Sequence, residues 1–204
     1  RVTFKGPGGH SWGAFGLANP HHALGEAISN FVTAADAYTA QGPKTSYNVG
    51  VVSGGTSINS IPFESIMEID IRSIEPSRLD AMEALLEKAV NAALIHQNEV
   101  KRQGPDLTVF VDKIGNRPSG ELSDGLPLIQ RTLAATTYFG TQPYLTRGST
   151  DSNIPISKGI PAVTIGRGGK GGKAHSLDEW WLNKEGHKAI QLALLILLSE
   201  SGIK

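Results

Sequence analysis

Histidine is the residue type in this sequence best suited to acid–base or metal chemistry, and the chain has six of them. His10 and His175 each lie in a glycine-rich loop beside a small residue. Ligand-contacting residues concentrate in loops held by regular elements, and glycine lets the backbone approach a ligand closely. The residues alone favour neither a functional nor a structural role for these two histidines.

The other four histidines lie in segments with a helical pattern. His96 and His187 have polar neighbours, so we predict that both are solvated surface residues. His21 and His22 follow Asn19-Pro20, a capping residue and a proline that together indicate the start of a helix. We expect a surface pair in the first helical turn, with a functional role as the alternative.

The chemistry that the chain lacks is equally informative. It contains no H-E-x-x-H, G-x-S-x-G or phosphate-loop motif, no His-x-Asp and no adjacent pair of glutamates. Asp178-Glu179 is the only run of two acidic residues, and it follows His175. A hydrolytic metal site needs about three or four protein ligands with an open position. The residues of this chain therefore do not make up a complete catalytic site.

The composition excludes several classes of protein. Lys and Arg number 19 and so do Asp and Glu, which argues against binding to nucleic acid or to a membrane surface. Without cysteine there is no disulfide, thiolate nucleophile or cysteine-bound zinc, and the cellular compartment stays open. The longest apolar run, Leu192 to Leu198, is far shorter than the roughly 20 residues that span a bilayer.

The first half of the chain alternates between strand and helix patterns. Met67, Ile69 and Ile71 alternate with polar residues, which predicts a strand with one buried face. The resulting order, β-α-β-β-α-β, is a split βαβ with a four-stranded antiparallel sheet and both helices on one face. The predicted elements are strands at Arg1–Lys5, Ser46–Val52, Ser65–Ile74 and Thr108–Val111, a helix from Pro20 to about Tyr38, and a helix opened by a capping box at Ser77-x-x-Asp80.

The second half is typical of the end of an α/β domain. A helix near Leu126 to Tyr138 precedes a short extended segment at Pro143–Leu145. The β-branched run Ile160 to Ile165 predicts a strand buried on both faces, as in a parallel sheet. A glycine-rich loop at 166–172 and a closing helix at about 184–199 follow. These few elements cannot build a two-sided sheet by themselves.

Five motifs along the chain, in their order and spacing, resemble those of one family of enzymes. They are G-x-x-G-H-S at 6–11 with N-P-x-x-A-L at 19–24, G-G-T-x-x-N-x-I-P at 54–62, D-I-R at 70–72, G-S-T-D at 148–151 and H-S-x-D-E at 175–179. The family comprises zinc-dependent aminoacylases, acetylornithine deacetylases, succinyl-diaminopimelate desuccinylases, carboxypeptidase G and peptidase T.

The resemblance implies an architecture that agrees with the independent prediction. It makes residues 1–114 a split-βαβ lid or dimerisation domain and residues 115–204 the C-terminal part of an α/β zinc-peptidase catalytic domain. It also implies a homodimer through the lid, and we expect a cytoplasmic protein. The family's N-terminal catalytic segment, with its His-x-Asp ligand and Glu-Glu general base, has no counterpart here. We expect that this fragment, which keeps only His175 of the usual ligands, does not hold the two zinc ions.

The resemblance also implies roles for individual residues. His10 would stabilise the developing oxyanion in the partner subunit's site. Arg72 has a planar, permanently charged guanidinium that suits a terminal carboxylate, with a cross-strand ion pair to Glu or Asp as the alternative. Asn59 would donate a hydrogen bond at the same place, and Ser149 with the Gly148 backbone would complete the cradle.

These inferences predict a dinuclear zinc hydrolase that cleaves a peptide or an N-acyl amino acid and is inactive as this fragment. The sequence does not distinguish peptide, acetyl and succinyl substrates. The first alternative is a non-catalytic dimerisation or interaction module, and the second is a split-βαβ regulatory domain that binds a small ligand. A His-x-Asp and a Glu-Glu pair upstream in the parent reading frame would favour the enzyme.

Overall fold

The chain divides into two compact units, Arg1–Asn116 and Arg117–Lys204. The structure, a computed structural model, describes residues 1–202. Among these residues no helix combines the length and the apolar character needed to cross a membrane.

The first unit is built on a four-stranded antiparallel sheet with the order β3-β5-β1-β6. Each neighbouring pair runs antiparallel, and this order is that of a split βαβ. The predicted topology is therefore confirmed. A second, two-stranded sheet joins β2 to β4. The strands of this unit are β1 (Val2–Lys5), β2 (Gly9–His10), β3 (Thr45–Gly54), β4 (Ser60–Ile61), β5 (Glu64–Ser73) and β6 (Thr108–Val111).

Two long helices, α1 (Pro20–Thr39) and α2 (Pro76–Val100), pack on this sheet. At the start of α1 the Asn19 side chain accepts a hydrogen bond from the His21 backbone N–H at 2.9 Å, so the predicted start signal is correct. The predicted capping box in front of α2 is wrong. Ser77 lies inside the first turn, because Pro76 occupies the first helical position, where its fixed φ suits the helix.

The core of the first unit lies between the helices and the sheet. Phe31 of α1 and Met82 of α2 are 0% exposed, as are Phe4 of β1 and Met67 of β5. Their side chains belong to one apolar cluster that joins all four elements. Since burial of such side chains provides most of the driving force for folding, this cluster makes the lid a rigid platform for its loops.

The second unit is smaller and less well packed. Lys170–Gly172 and Trp180–Leu182 form an antiparallel pair, β7 and β8. The helices of this unit are α3 (Pro127–Tyr138), α4 (Asn153–Ser157) and α5 (His187–Ser201).

The predicted buried strand at Ile160–Ile165 is wrong. This segment has no regular secondary structure, and the Ile160 side chain is 54% exposed. A parallel strand needs neighbours that pair with its N–H and C=O groups. In the described part of the second unit, β7 and β8 are the only strands, and they pair with each other. The apolar composition predicted the burial, but no neighbouring strand is available to provide it.

Truncation of the core residue Phe31 tests the packing of the lid. We expect Phe31→Ala to lower the free energy of unfolding by about 3–5 kcal/mol, because it leaves a cavity among buried side chains. Urea denaturation followed by circular dichroism measures this change. Phe110→Ala is the matched control, since Phe110 is exposed on β6. Equal losses of stability in the two variants would contradict the core assignment.

An ion pair joins the two helices of the lid. Nδ1 of His96 on α2 lies 3.0 and 2.8 Å from the two carboxylate oxygens of Glu26 on α1. The hydrogen bond to Glu26 and the charge of that carboxylate raise the pKa of His96. Burial acts to raise the pKa of Glu26, but the hydrogen bonds from His96 and Gln97 outweigh it, so this pKa is lowered.

The stability of the lid should therefore depend on pH through His96. A raised histidine pKa stabilises the fold below about 6.5, the ordinary value, and this contribution disappears as the pH rises through the raised pKa. The lowered pKa of Glu26 preserves the pair down to about pH 4–5. We expect the stability difference between wild type and His96→Gln to shrink as the pH rises from about 6.5 through the raised pKa of His96. In a Glu26→Gln background the difference should not vary, and a constant difference in the wild-type background would contradict the pairing.

Candidate functional site

The pairing of β2 with β4 brings two of the predicted site residues together. His10 is in register with Ser60, and Gly9 with Ile61. The pairing continues by one hydrogen bond, from the Ser11 backbone N–H to the Asn59 carbonyl at 2.9 Å. His10 and Asn59, which are distant in sequence, therefore lie on adjacent chain segments.

Glycines allow the sharp turns that lead into this pairing. Gly8 precedes β2 with φ +67°, and Gly54 ends β3 with φ +129°. A Cβ atom on Gly54 would lie 2.5 Å from the Glu64 carbonyl oxygen. A residue with a Cβ atom would be strained at either position, because its φ angle lies in the left-handed region. The glycine-rich motifs are thus needed to position the residues that follow them.

The ring of His10 is oriented by its own backbone turn. Its Nδ1 accepts hydrogen bonds from the backbone N–H groups of Trp12, at 3.2 Å, and Gly13, at 3.4 Å. An imidazole nitrogen that accepts carries no proton, so in the neutral ring the proton is on Nε2. The turn thereby presents Nε2–H of His10 as a hydrogen-bond donor.

The side chain of Asn59 is oriented in a similar way. Its Oδ1 accepts a hydrogen bond from the Ser57 hydroxyl at 2.9 Å. The same hydroxyl lies 2.8 Å from the hydroxyl of Ser60. Because the amide oxygen is bonded within the turn, the NH₂ group of Asn59 is available to donate. Each of the two segments joined by the β2–β4 pair thus carries an oriented side chain with an N–H donor.

Arg72 lies elsewhere in the lid. On β5 it is in register with Ser46, and its side chain is 62% exposed. Its Nε donates to Asp70 Oδ2 at 2.6 Å, so its ion pair runs along its own strand and not across to a neighbour. Glu64 and Arg72 are at opposite ends of β5, about 26 Å apart at the usual rise per residue. Within one chain, therefore, Arg72 lies far from β4 and the neighbouring Asn59.

The other predicted site residues lie in loops of the second unit. His175 follows β7 with φ +64°, and its backbone N–H donates to Glu179 Oε2 at 3.0 Å. A residue other than glycine in this conformation costs about 1–3 kcal/mol, and such strain is concentrated at functional sites. Gly148 and Ser149 are exposed in a loop before α4, where the Ser149 hydroxyl lies 3.4 Å from Nη1 of Arg117.

The residues present do not form a zinc site by themselves. Among residues 1–202 no three His, Cys, Asp or Glu side chains cluster closely enough to hold a metal ion. His175 has one acidic neighbour, Glu179, and this carboxylate is bonded to the His175 backbone. Tight zinc coordination needs three or four ligands, so we derive no chemical step through zinc from this chain.

His21 has a structural contact that sequence reasoning missed. Its Nδ1 lies 2.7 Å from the hydroxyl of Ser65, which is completely buried. Its Nε2 lies 2.8 Å from the position that a Cβ atom on Gly55 would occupy. His21 thus supports the turn between β3 and β4. The sequence contains no signal for this contact, since Ser65 is on a different element.

Comparison with known proteins agrees with this architecture. Residues 1–98 match the family described as peptidase dimerisation domain. A search of the curated proteins finds no match.

Solved structures with a similar fold include three hydrolases. A tripeptidase from Staphylococcus aureus is 19% identical with a TM-score of 0.65, covering 96% of this chain and 49% of its own. The aminopeptidase PepT from Bacillus cereus is 19% identical with a TM-score of 0.63, covering 98% and 51%. A hydantoinase/carbamoylase family amidase from Burkholderia ambifaria is 14% identical with a TM-score of 0.57, covering 100% and 46%. This chain thus spans about half the length of these structures, and at such identities they show the fold.

The split-βαβ unit is therefore similar to a peptidase dimerisation domain over residues 1–98. This match and the shared fold of the two peptidases confirm the predicted resemblance of the chain to a peptidase family.

The orientation of His10 can be tested on this chain alone. In its neutral ring we expect His10 to carry the proton on Nε2, because Nδ1 accepts backbone hydrogen bonds. His22 is an internal control with the opposite expectation, since its Nε2 faces the donor Nδ2 of Asn19 at 3.4 Å. Ring ¹⁵N chemical shifts distinguish the two tautomers. A proton on Nδ1 of His10 would contradict the donor assignment.

Proposed function

We propose that this chain is part of a zinc-dependent hydrolase that cleaves the amide bond of a small peptide or an N-acyl amino acid. The observation that carries the proposal is the β2–β4 pairing, which joins the chain segments of His10 and Asn59, two side chains that each keep an N–H group available to donate. The match to a peptidase dimerisation domain supports the hydrolase class.

The donors suit the chemistry of amide hydrolysis. Attack on the carbonyl develops negative charge on its oxygen, and preorganised N–H donors stabilise that charge most when they need not reorient. The ring of His10 is held by two backbone N–H groups, and the oxygen of Asn59 is held by Ser57. In this proposal His10 stabilises the oxyanion and Asn59 donates to the same substrate.

The proposed carboxylate contact is made by Arg72 from a second copy of the chain. The strand β3 is at the edge of the sheet and exposes a ten-residue backbone. An exposed edge of this length is a template for pairing. Antiparallel pairing of two β3 strands would place the Arg72 end of one sheet beside the β4 end of the other. In such a pair the β5 strands of the two chains would lie three strand spacings apart, about 14 Å. This is shorter than the length of about 26 Å that separates the two ends of β5 within one chain.

This geometry supports a homodimer in which each site takes residues from both chains. The peptidase dimerisation domain independently suggests homodimer formation. Arg72 keeps its two Nη groups without a partner among the described residues, so its fork remains available for a carboxylate. Gly148 and Ser149 would complete the cradle from the second unit.

Zinc dependence belongs to the same proposal and rests on the family resemblance. His175 would be one ligand, and the others would come from further parts of the complete polypeptide. A bound zinc pair would supply an activated water and polarise the carbonyl. A cytoplasmic location likewise stays a prediction from the sequence.

The alternative function is a dimerisation module without catalysis. It is favoured by the match of residues 1–98 to a dimerisation domain and by the lack of a three-residue metal cluster among the described residues. Hydrolysis of N-acyl amino acids or dipeptides by the purified complete protein, abolished by a chelator and restored by zinc, would exclude this alternative.

Mixed dimers of the complete protein test the action of His10 across the subunits. His10→Ala should lower kcat by about 10²–10³-fold, the usual effect of removing an oxyanion donor. KM should change much less, because the interaction strengthens in the transition state. When His10→Ala is combined with His175→Ala, a mixed dimer has one site with both defects and one intact site, so activity should partly return.

The control for this experiment is His22→Ala, which should retain wild-type kcat because the ring of His22 is hydrogen-bonded to Asn19, outside the proposed site. Sedimentation and differential tags should establish that mixed dimers have formed. If verified mixed dimers recover no activity, His10 serves its own subunit and the proposed arrangement is wrong.

A further inference from the structure

Two large apolar side chains flank the pair of donors. Trp12, whose backbone N–H binds the ring of His10, has a side chain that is 87% exposed. Ile58, which precedes Asn59, is fully exposed. With Trp12 N 3.2 Å from His10 Nδ1, the Cβ of Trp12 lies within about 6 Å of that ring atom. A single exposed apolar residue is normal, but here one adjoins each donor.

Trp12 is exposed on a segment that is firmly held. Gly16 accepts a hydrogen bond from the Arg102 backbone N–H at 2.8 Å, and the Phe15 carbonyl accepts one from the Gln103 side chain at 2.9 Å. The Arg102 guanidinium also stacks over the Phe15 ring at 5.1 Å. Because these contacts anchor the segment that carries Trp12, its exposure does not result from a loose loop.

The two chain segments that carry the donors contain no charged residues. Residues 6–25 and 45–63, which include β2, β4 and the turns around them, contain no Asp, Glu, Lys or Arg, although such residues make up 19% of the chain. The charged group that reaches this segment, Arg102, stacks on Phe15. A charged substituent held here would lose hydration without gaining a partner of opposite sign.

We propose that Trp12 and Ile58 form an apolar recognition surface that selects substrates with an uncharged, apolar acyl group. This inference rests on the proposed function. The scissile carbonyl is placed at His10, and the carboxylate of the leaving amino acid extends towards Asn59 and Arg72. In this arrangement the acyl chain, the remaining substituent of the carbonyl carbon, meets the surface that Trp12 exposes next to the turn of His10. An N-succinyl group would place a second carboxylate against this apolar surface.

The test uses the complete protein and a series of substrates with one leaving amino acid, carrying N-hexanoyl, N-acetyl or N-succinyl groups. We expect wild type to prefer hexanoyl. Trp12→Ala should lower kcat/KM for the hexanoyl substrate by about 10-fold and for the acetyl substrate by less than about twofold, since only the longer chain reaches the indole. Trp12→Phe should restore most of the preference. Tyr144→Ala, at another exposed aromatic residue, is the matched control and should have no effect on it.

Three outcomes would overturn this inference. They are a preference of wild type for the succinyl substrate, an equal loss of kcat/KM for hexanoyl and acetyl in Trp12→Ala, and dissociation of the Trp12→Ala dimer in sedimentation experiments. The last result would assign Trp12 to the contact between subunits. Failure of wild type to hydrolyse any N-acyl amino acid or dipeptide is a different result, because it would overturn the proposed function itself.

Discussion

The short antiparallel pairing of Gly9–His10 with Ser60–Ile61 is the contact on which the candidate site depends. It involves few residues, and an isolated pair of such short strands would not be stable in water. The pair forms because β1 and β5, which lead into it, are already paired through Lys5 and Glu64 in the main sheet. The large sheet thus determines the register in which the small one joins the segments of His10 and Asn59.

The lid gives these donors a rigid support. Its buried cluster takes side chains from both helices and from β1 and β5 of the main sheet, so that movement of β1 against β5 would disrupt the packing of Phe4 and Met67. Close-packed interiors resist such displacements. His21 extends the same support to the turn before β4 through its contact with the buried hydroxyl of Ser65. Preorganisation of this kind allows a hydrogen-bond donor to stabilise charge without reorienting.

Sequence patterns predicted the parts of this structure that depend on local chemistry. The alternation along Met67, Ile69 and Ile71 and the Asn19-Pro20 signal correspond to β5 and to the start of α1. The prediction at Ile160–Ile165 was wrong because burial of a strand depends on neighbours, and composition alone does not say whether these are present. The contact between His21 and Ser65 could not be predicted either, since it joins a helix to a distant strand.

The positions of the predicted site residues lead to one further step. The D-I-R and G-G-T-x-x-N-x-I-P motifs are close in sequence, yet an antiparallel strand carries Arg72 away from Asn59 along the length of β5. A substrate the size of an N-acyl amino acid is too short to connect the two ends of that strand. If both residues contact one substrate, they must belong to different chains. Antiparallel pairing of two copies at the open edge of β3 would run their β5 strands in opposite directions, and this brings Arg72 of one chain towards Asn59 of the other. A dimer is thus a requirement of the proposed function, and the match of residues 1–98 to a peptidase dimerisation domain suggests the same assembly.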